Sequence, residues 1–201
     1  MNIHRVQMKK NVFVILKNKL LYIYIYNMIY WFTGQPGAGK TTLALELIKH
    51  LSNPIHIDGD NLRDILKNYD YTDSGRKKNI ENVITIARFL DFKNYDVVIS
   101  VVAPFKKLRE ELKKTNTVKE FYVHTNKKRG RENFFCKQYE KPEDNYIDVD
   151  TTIYTVKESI DIILNKLHEE WFKNILSLYI SQQIWLKIRK EVIKQKNKQR
   201  K

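Results

Sequence analysis

The chain has 201 residues, 42% hydrophobic and 30% charged, with six Gly, four Pro and one Cys; this suits one globular domain with appendages and excludes collagen-like repeats, general disorder, a disulfide framework and a zinc site built on several thiolates. The formal net charge of +14 first suggests nucleic acid or an acidic membrane, but residues 1–28 hold five Lys or Arg and no acid, and residues 171–201 hold nine against Glu191 alone. The body, 29–170, has 23 basic and 22 acidic residues and is nearly neutral, so the flanks carry the basic character and no specific nucleic-acid or membrane partner is expected for the body.

Residues 12–30 are apolar-rich, but Lys17, Asn18 and Lys19 split them into two runs too short to span a bilayer, and no small-residue cleavage site follows. Residues 1–28 read as a basic, apolar N-terminal extension, with natural translation starting at Met28. From Ile29 the punctuation is regular. Residues 29–32 read as a short strand running into a Gly-rich turn. Residues 40–51 have helical spacing, with Leu43, Leu47 and Leu51 on one side. Residues 54–57 read as a second strand ending at Asp58. Residues 79–92 are helical, with Ile80, Val83, Ile84, Ala87 and Leu90 on one face. Residues 97–102 form a β-branched run typical of a strand covered on both faces. A helix over 108–114, strands over 118–123 and 146–149, and a helix over 156–167 complete the pattern. Residues 126–145 lack periodicity and read as a long loop or lid. Residues 171–192 allow an amphipathic helix ending in a basic tail over 194–201. Strands alternating with helices predict an α/β domain with a mostly parallel sheet flanked by helices. The expected division is 1–28 as extension, 29–168 as the domain with its lid, and 169–201 as a basic C-terminal helix and tail.

The strongest local signal is Gly34, Gln35, Pro36, Gly37, Ala38, Gly39, Lys40 and Thr41, with Thr42 beside it. It fits G-x-x-x-x-G-K-[ST], with a predicted strand before it and a helix after it. The glycines let backbone N–H groups turn inward around phosphate oxygens, and the following helix adds its positive N-terminal end. Lys40 is expected on the β- and γ-phosphates of ATP, and the Thr41 hydroxyl on Mg²⁺.

The acceptor side follows from sheet topology, because ligands bind at the carboxyl ends of parallel strands. Asp58 ends the second strand. A carboxylate there can hold magnesium-bound water or accept a proton from an attacking hydroxyl. Asp60 or Asn61 also fits as a helix N-cap. Arg63 lies one helical turn beyond Asp60, and Arg76 and Asn79 share a helix face. These three are candidates for gripping an anionic acceptor. Tyr71, just ahead, could stack on a base. Cys136 reads as structural or incidental, and His50, His56 and His124 are isolated, with no chemistry assigned.

These residues resemble the adenylyl-sulfate kinase (APS kinase) family. The resemblance rests on Trp31-Phe32-Thr33-Gly34, on Gly37 through Ala44, and on Asp58-Gly59-Asp60-Asn61-Leu62-Arg63. It continues through Tyr71 and Arg76-Lys77-Lys78-Asn79-Ile80, then Ala103-Pro104-Phe105-Lys106-Lys107-Leu108-Arg109, then Tyr139-Glu140-Lys141-Pro142. It covers about 29–167 and implies a three-layer P-loop NTPase kinase fold. The implied reaction transfers the γ-phosphate of ATP to the 3′-hydroxyl of adenylyl sulfate, giving 3′-phosphoadenylyl sulfate. The resemblance implies Lys40, Asp58 and Asp60 as catalytic groups and Thr41 and Asp58 as Mg²⁺ ligands. It places Arg63, Tyr71, Arg76, Asn79, Pro104, Phe105 and Arg109 at the acceptor.

There are departures. The family's Ser before Pro104 is Ala103, and the Arg after Phe105 is Lys106, a point charge in place of a planar fork. The family's R-D-P-K-G-L-Y and F-T-G-I-D lid segments are absent. Arg129, Arg131, Phe134 and Phe135 stand as replacement lid cations and base covers. The shortened lid keeps open a P-loop kinase acting on a nucleoside, a sugar or a nucleic-acid end. The basic flanks keep open a binding protein that engages nucleic acid or a membrane surface through its tails. The C-terminal helix could dock on the body, pair two chains as a homodimer, or touch a membrane. With no convincing targeting signal, a cytoplasmic location is expected.

Overall fold

The computed structural model describes residues 10–16, 19–25 and 27–198. Contacts group Ile25–Ile163 into one compact unit, and Asn11–Tyr24 with Leu164–Lys201 into a second. Strands β1 (Lys10–Leu16) and β2 (Lys19–Ile25) pair in a two-stranded sheet. These are the two apolar runs, expected only as an extension. Their Val, Ile, Phe and Tyr content favours extended pairing.

The next elements are β3 (Ile29–Thr33), α1 (Lys40–Ile48), β4 (Pro54–Asp58), α2 (Gly59–Leu66) and α3 (Asp73–Phe92). Then come β5 (Asp96–Ser100), α4 (Lys106–Lys113), β6 (Val118–His124), β7 (Tyr146–Asp150) and α5 (Val156–Lys198). Every strand expected from Ile29 onward is present. Helix α2 was expected only through the reading of Asp60 or Asn61 as an N-cap, and α3 starts six residues before the expected 79. Both have local causes: Asp58 caps α2, and the Thr72 side chain accepts the Gly75 N–H at the start of α3. The helices expected over 156–167 and 171–192 are one continuous helix. His168, Glu169 and Glu170 interrupt the apolar pattern but contain no breaker, and glutamate is a good helix former. The last residues of the expected tail, 199–201, lie outside the described residues.

Strands β3 to β7 form one sheet in the order β4-β5-β3-β6-β7, and every neighbouring pair is parallel. Alternation along the strands divides the core into two layers. On one face Ile29, Trp31, Ile57, Val97 and Ile99 pack with Ile80, Val83, Ile84 and Ala87 of α3 and Leu108 and Leu112 of α4. On the other face Phe32 stacks on Phe121 at 4.5 Å. The chain goes from β3 out to β4, back through β5, then across to β6, so the loops after β3, β4 and β5 converge at one end of the sheet. No described helix is long and apolar enough to cross a membrane. The side chains of Trp171, Phe172, Leu176, Ile180 and Ile184 on α5 are exposed.

Candidate active site

The loop between β3 and α1 folds as a phosphate cradle because three glycines take left-handed angles, with φ of 148° at Gly34, 77° at Gly37 and 103° at Gly39. At Gly34 a side chain is also excluded by space, since a Cβ would lie 1.9 Å from the Val123 carbonyl oxygen. Gly39 caps α1 without a side-chain bond, so the first N–H groups of the helix remain available to an anion. Lys40 is 8% exposed, and its Nζ donates back to the Gln35 carbonyl at 2.9 Å. Burial pulls its pKa down to about 8, although Asp60 and Asp58 act in the opposite direction.

Asp58 does two jobs. Its Oδ1 accepts the Asp60 and Asn61 N–H groups, which makes Asp58 itself the N-cap of α2 in place of Asp60 or Asn61. Its Oδ2 accepts the Thr41 and Ser100 hydroxyls, each at 2.9 Å. Burial pushes the Asp58 carboxyl up, but the bonds from Ser100, Thr41, Asn61 and Asp60 outweigh it and hold the pKa below the usual value. The site therefore presents an ionised carboxylate beside a hydroxyl that donates to it. These hard oxygens suit Mg²⁺, which takes few protein ligands and fills its remaining positions with phosphate oxygens and water. Among the described residues no group of three or more His, Cys, Asp or Glu could hold a metal ion, so a closed protein cage is not what this site offers.

Opposite the cradle, Tyr71 holds two arginines together. The Arg63 guanidinium lies 4.5 Å from the Tyr71 ring centre and that of Arg76 5.8 Å. Arg63 is 5% exposed and donates to the Asn68 and Asp70 carbonyls. Arg76 donates to the Tyr71 carbonyl and to that of Phe134 in the lid. Asn79 donates to the Gly59 carbonyl, and its buried Oδ1 has no partner among the described residues.

These groups line a cavity of about 470 Å³. Of the residues expected to bind ATP, Pro36, Gly37, Gly39, Lys40, Thr41 and Thr42 line it, whereas Gly34, Gln35 and Ala38 lie behind it. Of the acceptor and catalytic candidates, Asp58, Asp60, Arg63, Tyr71, Arg76, Asn79 and Pro104 line it. A family model described as adenylylsulphate kinase matches residues 26–155, which contain the whole cavity.

The chain belongs to the adenylylsulphate kinase family.

It is accordingly a phosphotransferase that acts on a hydroxyl, with the P-loop NTPase kinase fold. A probable adenylyl-sulfate kinase of Pyrococcus abyssi is 29% identical over 163 residues, 69% of this chain and 94% of that protein. The cytidine diphosphoramidate kinase of Campylobacter jejuni is 30% identical over 146 residues, 68% of this chain and 85% of that protein. Among solved structures, the Mycobacterium tuberculosis APS kinase in complex with AMPPNP and APS superposes with a TM-score of 0.61 at 19% identity, covering 71% of this chain and 98% of that one.

Two residues placed at the acceptor by the family resemblance are not on the cavity wall. Phe105 caps α4 beside it. Arg109 is 1% exposed and committed to the interior: Nε pairs with Glu120 at 2.7 Å, Nη1 donates to the Ala103 carbonyl and Nη2 to that of Glu140. Ala103 has φ of 40°, a left-handed angle that strains a residue with a Cβ, and the Arg109 bond helps hold it there. Lys106 faces away, with its ammonium paired to Glu143.

The lid reaches the cavity by a different route. Arg129 donates to the Gly37 carbonyl and to the Thr151 carbonyl and hydroxyl, and Arg131 and Phe134 line the wall. The Thr33 hydroxyl donates to the Val102 carbonyl and so accepts from the Tyr139 hydroxyl, which ties the lid to β3. Ser100 and Thr151 were not singled out from the sequence. The signal for Ser100 was a hydroxyl inside the β-branched run 97–102, but only the β4–β5 register sets it beside Asp58.

Proposed function

We propose that the chain transfers the γ-phosphate of ATP, with Mg²⁺, to the 3′-hydroxyl of adenylyl sulfate, giving 3′-phosphoadenylyl sulfate for sulfate activation. The observation that carries this reading is the Arg63–Tyr71–Arg76 stack facing the cradle across one cavity. It offers two cations for a phosphosulfate beside an aromatic face for a base. The backbone of the cradle and Lys40 hold the triphosphate. Thr41 and Asp58 hold Mg²⁺, which neutralises charge on the transferring group. Asp58 already accepts four hydrogen bonds, which suits it to orienting and leaves Asp60, in the first turn of α2, to receive the proton of the attacking hydroxyl. Arg129 and Arg131 bring further positive charge from the lid, so the chain supplies position and electrostatics and forms no covalent intermediate. We place this chemistry in the cytoplasm, where ATP and Mg²⁺ are supplied. Pairing of two copies as a homodimer stays part of this reading.

A second acceptor has specific support. The Campylobacter jejuni relative is named for cytidine diphosphoramidate, and the lid here lacks the family's usual segments. The deciding experiment is ADP release from ATP–Mg²⁺ without acceptor, with adenylyl sulfate and with cytidine diphosphoramidate, on the wild type and on Lys40→Ala. Stimulation by adenylyl sulfate alone, lost in Lys40→Ala, supports the first reading. Stimulation by the phosphoramidate alone replaces it with the second.

A further inference from the structure

We propose that His56 is a positioning residue for the metal end of the site, acting through Ser100 to set the direction of the hydrogen bonds around the Asp58 carboxylate. The proposal rests on the reading that Thr41 and Asp58 hold Mg²⁺, but not on the identity of the acceptor.

Alternation on β4 puts His56 and Asp58 on one face of the sheet, and the parallel register puts Ser100 of β5 directly beside Asp58. The Ser100 Oγ lies 2.9 Å from His56 Nε2 and 2.9 Å from Asp58 Oδ2. It also lies 3.3 Å from the Thr41 hydroxyl, which itself donates to the same Oδ2 at 2.9 Å. A serine hydroxyl has one proton to give. An ionised carboxylate only accepts, so that proton goes to Asp58. Ser100 therefore receives a bond at its lone pair, and His56 Nε2 is the donor that supplies it. This fixes the histidine tautomer with the proton on Nε2.

The consequence falls on Thr41. Without a donor at His56, the Ser100 hydroxyl is free to turn toward Thr41 or to accept the Thr41 proton. Either change draws Thr41 away from Asp58 and misdirects the lone pair that a metal needs. With His56 filling one Ser100 lone pair, the shorter contacts set the order: His56 donates to Ser100, and Ser100 and Thr41 both donate to Asp58 at 2.9 Å rather than to each other at 3.3 Å.

The test is Mn²⁺ binding followed by electron paramagnetic resonance, in the presence of AMPPNP and without any acceptor. The proteins are the wild type, His56→Leu, His56→Gln, Ser100→Ala and the His56→Leu, Ser100→Ala double variant. Residues that orient metal ligands are typically worth 10–100-fold in metal affinity, so His56→Leu is expected to weaken Mn²⁺ about tenfold. His56→Gln is expected to restore affinity to within about threefold, because its amide N–H reaches the place of Nε2. Metal-free AMPPNP affinity should stay unchanged in both, which a general packing defect would not allow. In the Ser100→Ala background, His56→Leu should add less than about twofold, since the two act along one path. Unchanged Mn²⁺ affinity in His56→Leu overturns the proposal. So does equal loss in His56→Gln, loss of metal-free nucleotide binding in step with Mn²⁺, or a full additional loss in the double variant. Failure of the wild type to bind Mn²⁺ overturns the metal reading itself, whichever acceptor the kinase takes.

Discussion

Gln35 and Cys136 hold each other at two points: Gln35 Nε2 donates to the Cys136 carbonyl at 2.8 Å, and Gln35 Oε1 accepts the Cys136 N–H at 2.9 Å. A side chain of the phosphate loop thus fastens the backbone of the lid. Arg129 fastens it in the other direction, from the lid to the Gly37 carbonyl. Gln35 accordingly serves as the latch of the lid, behind the cavity, while its carbonyl receives Lys40.

Replacing Gln35 by Ala removes both latch bonds. At about 1 kcal/mol each, the lid around Cys136 should open roughly thirtyfold more often. Hydrogen exchange followed by mass spectrometry should show faster exchange over residues 130–140, with the sheet unaffected. An unchanged rate would mean that the remaining lid contacts close it unaided.

Lys40 gives a pH dependence whose sign can be worked out. Folding lowers its pKa from 10.5 to about 8, so between these values the unfolded chain binds more protons than the folded one. Stability of the nucleotide-free protein should therefore gain from this group as pH rises through that window. ATP favours the charged lysine and reverses the preference. Its affinity should weaken by up to about tenfold per pH unit above about 8, with uptake of up to one proton on binding. Calorimetric titrations in buffers of different ionisation enthalpy measure both effects.

Arg109 and Glu120 make a pair in which each side chain is 1% exposed, and Lys113 joins it from α4. Removing Arg109 leaves buried Glu120 with Lys113 alone and strips the Ala103 and Glu140 carbonyls of their donor. Arg109→Leu should cost about 3–5 kcal/mol of stability, read from the urea midpoint. Arg109→Lys should recover only part, because a point charge cannot serve Glu120 and two carbonyls together. An unaltered midpoint combined with a raised acceptor KM would return Arg109 to the acceptor site.

Arg76 faces the cavity and bridges Tyr71 to the lid through Phe134. A hydrogen bond to a charged group is worth about 1.5–3 kcal/mol, so Arg76→Ala should lower kcat/KM for adenylyl sulfate by roughly 10–150-fold. The KM for ATP should change little. Initial rates with each substrate varied in turn make the comparison.

Much of this was legible locally. The Gly34–Thr41 spacing announced a phosphate cradle because only that backbone chemistry needs glycines there. The β-branched run over 97–102 announced a strand buried on both faces, which the structure ends at Ser100. Helix α2 was legible only as a capping signal at Asp60 or Asn61, because Gly59 and Asp60 are poor helix formers, and its start is set by Asp58, which caps it. The continuity of α5 was hidden by the polar stretch at 168–170, which breaks apolar periodicity without breaking a helix. The pairing of β1 with β2 was hidden because split apolar runs carry no turn signal that sequence reading could use.

By itself the sequence determined the P-loop, the alternation of strands and helices, and the set of cations and aromatics around Arg63, Tyr71 and Arg76. Those signals are local, written in spacings of a few residues. The tertiary structure alone decided that Arg109 belongs to the interior, that Asp58 both caps a helix and faces Thr41, that Gln35 latches Cys136, and that His56 reaches Asp58 through Ser100. Each of these meetings except the cap joins residues on separate elements. The physical reason is that the parallel sheet order and its register decide which side chains share a face, and no short spacing in the chain encodes that choice.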